Sequence, residues 1–154
     1  MLHPTRVIVS LHVATGAAAG AVVRSRGAAA VVGPVLHALG DRLPHMDIRS
    51  RRFEVGSGVV MVVALALRHG VLAPETIGAL TASAPDLEHI VPLPRPGGRK
   101  LFPSHRVRGW HRAGGVPAWS QLLAAGVLLG LVLGAQRRSS SAGSASTPSK
   151  RSSR

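Results

Sequence analysis

Apolar positions along the chain fall into blocks separated by charged or Pro/Gly-containing joints. Residues 7–23 (VIVSLHVATGAAAGAVV) contain no Lys, Arg, Asp or Glu. At 1.5 Å per residue such a helix is about 26 Å long, near the hydrocarbon thickness of a bilayer, so the block reads as a first spanning helix. Arg24 and Arg26 close it, and 27–40 (GAAAVVGPVLHALG) is again free of formal charge, which predicts a helical hairpin whose second arm runs over 27–43. A third run, 55–67 (VGSGVVMVVALAL), is stopped by Arg68-His69-Gly70, and a weaker one over 70–84 has Pro74 placed to begin a helix. Residues 116–135 (VPAWSQLLAAGVLLGLVLGA) give the clearest span, with Trp110 and Trp119 near one end, where interfacial aromatics sit. Glycines at four-residue spacing, Gly16/Gly20 in the first block and Gly126/Gly130/Gly134 in the last, predict close helix approach, more strongly for the last. The opening also has features of a cleaved signal peptide, Arg6 before an apolar run, but His12 interrupts that run and apolar sequence continues to residue 40. The expected fold is all-α, a multi-span transmembrane bundle of about four to five helices over 1–136. Residues 137–154, with eight Ser and five Lys/Arg, bury too little to offset ordering and read as a disordered basic tail.

Composition narrows the chemistry. The chain has 19 Lys+Arg against 6 Asp+Glu, a formal charge of +13 that points to an anionic partner or surface. Charged residues are only 16% and aromatics 3%, which argues against a thick core of large side chains. With no Cys, disulfides, thiolate zinc sites, iron–sulfur clusters and cysteine nucleophiles are excluded, so any metal must be held by His, Asp or Glu.

If the blocks 7–23, 27–43, 55–69 and 70–84 alternate in direction, one side collects the N-terminus and the polar loops 41–54 and 85–115. Seven of eight histidines (His3, His12, His37, His45, His89, His105, His111) and five of six acids (Asp41, Asp47, Glu54, Asp86, Glu88) fall there, leaving His69 and Glu75 opposite. Polar loops hold polar residues in any protein. Here, though, several of these groups lie within or beside apolar segments, which favours an N/O metal site. His37 and Asp41 are four apart and share one helix face; Pro44, His45 and Asp47 follow, and Pro85-Asp86-Leu87-Glu88-His89 forms a second cluster. His12 is either a further contributor or a histidine hydrogen-bonded to a neighbouring helix.

The pattern His12-x2-Thr15-Gly16, then Gly33-x3-His37-x3-Asp41-x2-Pro44-His45-x-Asp47, then Pro85-Asp86-x-Glu88-His89, then His105-Arg106 before a final helix resembles the small bacterial integral-membrane metal-dependent hydrolases. The resemblance covers roughly residues 3–135. It implies a multi-span helical protein of the bacterial cell membrane with a metal site. The usual Pro-Asp-x-Asp-His has Glu88 in its second acidic place, and the His-Arg segment runs Ser104-His105-Arg106-Val107-Arg108-Gly109-Trp110-His111 instead of the commoner Thr-His-Ser ending.

A divalent ion, zinc by preference, held by imidazoles and carboxylates lowers the pKa of bound water to about 7. The ligand candidates are His37, Asp41, His45, Asp86 and His89, with Glu88 as ligand or general base and His111 as proton donor to the leaving group. Arg95, Arg99, Lys100, Arg106, Arg108 and Arg112 suit phosphate, so an anionic lipid headgroup or other phosphoester is the expected substrate and membrane lipid the expected partner. No HExxH, GxSxG, P-loop or GxGxxG occurs. The alternative is a non-catalytic membrane protein that binds a metal or conducts ions or protons. A basic nucleic-acid-binding protein is the third reading, but no stacking platform supports it and no nucleic-acid partner is expected.

Overall fold

The computed structural model describes residues 9–46, 48, 50–110 and 114–135. Its described residues form an all-α bundle: α1 (Val9–Val23), α2 (Arg26–Arg42), α3 (Arg51–His69), α4 (Pro74–Ser83), two four-residue helices α5 (Leu87–Ile90) and α6 (Pro103–Arg106), and α7 (Ala118–Gly134). The helix starts follow local chemistry. Ser25 and Ser50 cap α2 and α3 by accepting from the backbone N–H of Ala28 and Phe53, and Pro74 opens α4 at a position that needs no donor. Gly70 ends α3 at φ 98°, a conformation that disfavours any side chain.

The expected spans do not form: among the described residues no helix is long and apolar enough to cross a membrane. A charge-free stretch of sequence is not the same length as the helix inside it. Within the 7–23 block, the described helix has 15 residues; the 116–135 block yields 17, because Pro117 precedes the first turn; 70–84 yields 10. At 1.5 Å per residue these reach about 22, 26 and 15 Å, against about 30 Å of hydrocarbon. α3 has 19 residues, but it starts four residues earlier than the apolar run and takes Arg51, Arg52 and Glu54 into its first turn, while α2 carries Arg26, His37, Asp41 and Arg42. The multi-span transmembrane bundle, the cell-membrane location and both membrane readings, integral-membrane hydrolase and ion- or proton-conducting protein, are thereby overturned. The tail 137–154 lies outside the described residues.

α1 is the central element, packed against α2, α3, α4 and α7. Its buried apolar side chains are small: Val13, Ala14 and Ala17 share one core cluster with Met61 and Leu65 of α3, Ala79 of α4, and Ala125 and Val132 of α7. Gly16 lies so close to α4 that a Cβ would collide with the Gly78 carbonyl, and Gly20 is similarly against Pro74; Gly33 brings α2 against Thr81 and Ala82. The α7 glycines Gly126, Gly130 and Gly134 face nothing within 4 Å, so the glycine spacing marks a contact in α1 and none in α7. Small residues inside leave large apolar ones outside: Val31, Val35 and Leu39 of α2 and Leu123, Val127 and Leu131 of α7 are more than half exposed.

Candidate metal centre

α2 contributes His37 and Asp41 from successive turns of its inner face. α4 runs along α2 and delivers Asp86 from the 3-10 turn Ala84–Asp86, and the chain then returns through α5 and a Pro/Gly-rich loop to α6, which carries His105. His37 Nε2 lies 3.2 Å from Asp41 Oδ2, 3.3 Å from His105 Nε2 and 3.7 Å from Asp86 Oδ1. His105 Nε2 lies 3.4 Å from Asp41 Oδ2 and 4.0 Å from Asp86 Oδ1. Ligand atoms about 2.0–2.1 Å from a tetrahedral ion sit about 3.3 Å apart, so the His37, Asp86 and His105 atoms, at 3.3–4.0 Å from one another, are spaced slightly wider than the ligands of one ion. Groups of His and carboxylate atoms here can hold a metal ion.

Each imidazole has its second nitrogen occupied. His37 Nδ1 donates to the Ala82 carbonyl at 2.8 Å, and His105 Nδ1 donates to Glu88 Oε1. A carbonyl only accepts, so His37 carries its proton on Nδ1; the Glu88 carboxylate fixes the same tautomer in His105. In the neutral forms, two Nε2 lone pairs then face each other and two carboxylates with no proton between them. Asp86 is 1% exposed and neither of its oxygens has a hydrogen-bond partner among the described residues.

The neighbouring groups orient this cluster. Ser104 Oγ donates to Asp41 Oδ2 at 2.6 Å, and His12 Nε2 lies 3.6 Å from Asp41 Oδ1 with its ring stacked 4.1 Å from that of His37. His12 therefore both reaches the cluster and packs between helices. Glu88 Oε2 accepts from the backbone N–H groups of Leu101 (2.6 Å) and Phe102 (3.4 Å), tying the loop before α6 to α5, and Phe102 sets its ring edge-on to His37 at 5.3 Å. Trp110 Nε1 donates to the Ala38 carbonyl, pinning the turn after α6 onto α2.

Burial and charge pull the titrations apart. Burial pushes Asp86 up to about 7, and the Asp41 charge adds to this against the attraction of His37. Burial also opposes ionisation of Asp41, but His105, His12 and His37, which hydrogen-bond it in their protonated forms, outweigh burial and hold that carboxyl well below its ordinary value. Glu88 is lowered too, its burial overcome by His105 and the Leu101 N–H. For His37, burial favours the neutral ring, yet the Asp41 hydrogen bond and the Asp86 charge raise it overall. Burial lowers His12 to about 4, and burial with the adjoining His105 and Lys100 charges lowers His89 to about 4, so both are neutral at pH 7.

Of the residues singled out in the sequence, His37, Asp41 and Asp86 meet directly, and Glu88 stands one bond back. Both Glu88 oxygens are engaged, which makes it an orienting group for His105. His89 packs its ring 4.4 Å from that of His105 and belongs with Glu88 and His105 to a further group of possible ligands. His45 joins no such group among the described residues. Its backbone pairs with Val116, its Nδ1 donates to the Leu43 carbonyl at 2.7 Å, and it lines an apolar pocket of about 270 Å³ with Leu36 and Leu39. His111, the expected proton donor, and Asp47 lie outside the described residues. His105 was absent from the sequence-derived ligand set. Its signal in the sequence is the His105-Arg106 pair of the hydrolase-like pattern, ahead of the final helix.

No protein family, no curated protein and no solved structure matches the chain. The reading of this centre rests on its own atoms.

Proposed function

We propose that the protein is a metal-dependent hydrolase in which His37, Asp86 and His105 would hold one divalent ion, leaving a fourth position for water beside Asp41. The observation that carries this is the convergence of two imidazole Nε2 atoms, each with its Nδ1 already donating, on a pair of buried carboxylates of which one, Asp86, has no hydrogen-bond partner among the described residues. Two imidazoles with one carboxylate suit a catalytic zinc, which keeps its fourth position for water. A zinc ion in such a site acidifies water to a pKa of about 7, supplying a nucleophile for ester hydrolysis at neutral pH. The chain's own contributions are separable. Glu88 and the Ala82 carbonyl fix the imidazole tautomers, Ser104 and His12 orient Asp41, and Asp86 Oδ2 remains to accept a hydrogen bond from water. The sequence resemblance of the His37, Asp41 and Asp86 motifs to those of metal-dependent hydrolases favours the same chemistry.

The test is elemental analysis of purified protein with turnover of a panel of activated esters. About one zinc per chain and turnover abolished by chelation are expected, with both lost in Asp86→Asn while the helical circular dichroism is retained. Wild-type protein that takes up no divalent metal on dialysis, or turnover unchanged by chelation, would overturn the proposal.

A further inference from the structure

On one side the metal centre opens into a cleft of about 440 Å³ lined by Arg99, Lys100, His105 and Arg106. His105 is shared: its Nε2 belongs to the centre and its ring forms part of the cleft wall. Arg99 and Arg106 are exposed, Lys100 is half-buried, and among the described residues none of the three forms an ion pair with a carboxylate. The nearest acid, Glu88, spends its oxygens on His105 and on the Leu101 and Phe102 N–H groups, so it is not turned to the cleft. Lys100 Nζ donates to His89 Nδ1 at 3.3 Å, which holds the ammonium in place at the cleft.

Lys100 is half-buried with Glu88, Asp41 and Asp86 as its surrounding negative charges, none of them in an ion pair with it among the described residues, and the cleft it lines with Arg99 and Arg106 has no carboxylate in its wall, a setting that an anion would complete. The amount of charge is informative. Asp41, Asp86 and Glu88 set against a dication and the three basic side chains leave a surplus of two positive charges.

Resting on the hydrolase reading above, we infer that this cleft binds the phosphoryl group of a phosphate monoester and that the bond hydrolysed is the phosphorus–oxygen ester bond. Arg99 and Arg106 offer planar forks and Lys100 a point charge, the donor types that suit phosphoryl oxygens. In the reaction, a water oxygen bonds to phosphorus as the bond from phosphorus to the alcohol oxygen breaks. The water loses a proton and the departing alkoxide gains one, giving an alcohol and inorganic phosphate with no change in oxidation state.

Titration calorimetry with inorganic phosphate on the whole protein tests this, with and without one equivalent of zinc, alongside Lys100→Gln and Arg106→Gln. Phosphate affinity is expected to fall at least about 10-fold in Lys100→Gln and about 3- to 10-fold in Arg106→Gln, while the zinc content of both variants stays at the wild-type value. Turnover should favour p-nitrophenyl phosphate over p-nitrophenyl acetate, with the preference lost in Lys100→Gln. Unchanged phosphate affinity in both variants, or a wild-type preference for the acetate ester, would overturn the inference and leave the metal reading standing. Wild-type protein that binds no zinc but binds phosphate through these residues would uphold the anion cleft and sink the hydrolase reading instead.

Discussion

At the scale of single residues, Asp86 bears the clearest cost. A carboxyl buried without a donor is destabilised when ionised, and its raised pKa measures that burden. Below pH 3.8 the group is neutral in both folded and unfolded chains and contributes nothing. Between 3.8 and about 7 the unfolded chain ionises first, and above 7 the folded, metal-free protein carries the full penalty. A displacement of that size corresponds to about 4 kcal/mol at 1.36 kcal/mol per pKa unit. Asp86→Asn removes it, although His37 then loses the attraction that Asp86 gives its charged form. In the presence of a chelator, Asp86→Asn should be more stable than wild type by about 2 kcal/mol or more at pH 8, with the two proteins equal near pH 4. Urea denaturation at the two pH values measures this, and a variant less stable at pH 8 would show that Asp86 is held by hydrogen bonds instead of awaiting a cation. The same residue would then be destabilising in the empty fold and required for metal, the usual trade between stability and a functional site.

At the scale of elements, the approach of α1 to α4 positions the centre, because α4 runs between α1 and α2 and delivers Asp86. That approach rests on the absence of side chains at Gly16 and Gly78, each lying under the other's carbonyl. Gly16→Ala should cost several kcal/mol, by the overpacking of backbone against backbone, and should lower metal affinity as α4 is pushed away. Gly130→Ala in α7, where nothing lies within 4 Å, should be neutral or stabilising by up to about 1 kcal/mol through helix propensity. Thermal melts of the two variants decide it; equal effects would mean that the α1–α4 contact is not the tight one. The contrast also shows what the sequence could and could not reveal. Glycine spacing is identical on α1 and α7, and only the partner helix distinguishes them. His37 and Asp41 were legible because helix periodicity places residues four apart on one face, and Asp86 because it sits beside a proline at a helix end. His105 was not, since a ligand delivered from a short helix in a distant loop leaves no local periodicity. The spanning helices were misread for a related reason: freedom from charge over 17 to 20 positions says nothing about where caps and prolines cut the helix.

At the scale of the whole molecule, the centre joins parts of the chain that the apolar core does not. The core draws on α1, α3, α4 and α7 through small side chains, whereas the ligands come from α2, the turn after α4 and α6. α6 has only four residues and depends for its place on Glu88, Ser104 and the Trp110 anchor. A ligand that binds only the folded chain stabilises it by about 2.7 kcal/mol at a free concentration 100 times its Kd. For a chain of this size, that corresponds to a rise in Tm of roughly 5–11 °C. Zinc added to metal-free protein should therefore raise Tm by that order. Hydrogen exchange should slow at the backbone amides of 101–107 more than at those of α1, because the loop carrying His105 gains a metal-bridged link to α2 beyond the Ser104–Asp41 and Trp110–Ala38 hydrogen bonds. Asp86→Asn and His105→Ala should abolish both effects. A Tm rise that persists in both variants would place the ion elsewhere on the chain, and protection gained uniformly along all the helices would mean that the ion stabilises the bundle without fastening the α6 loop to it.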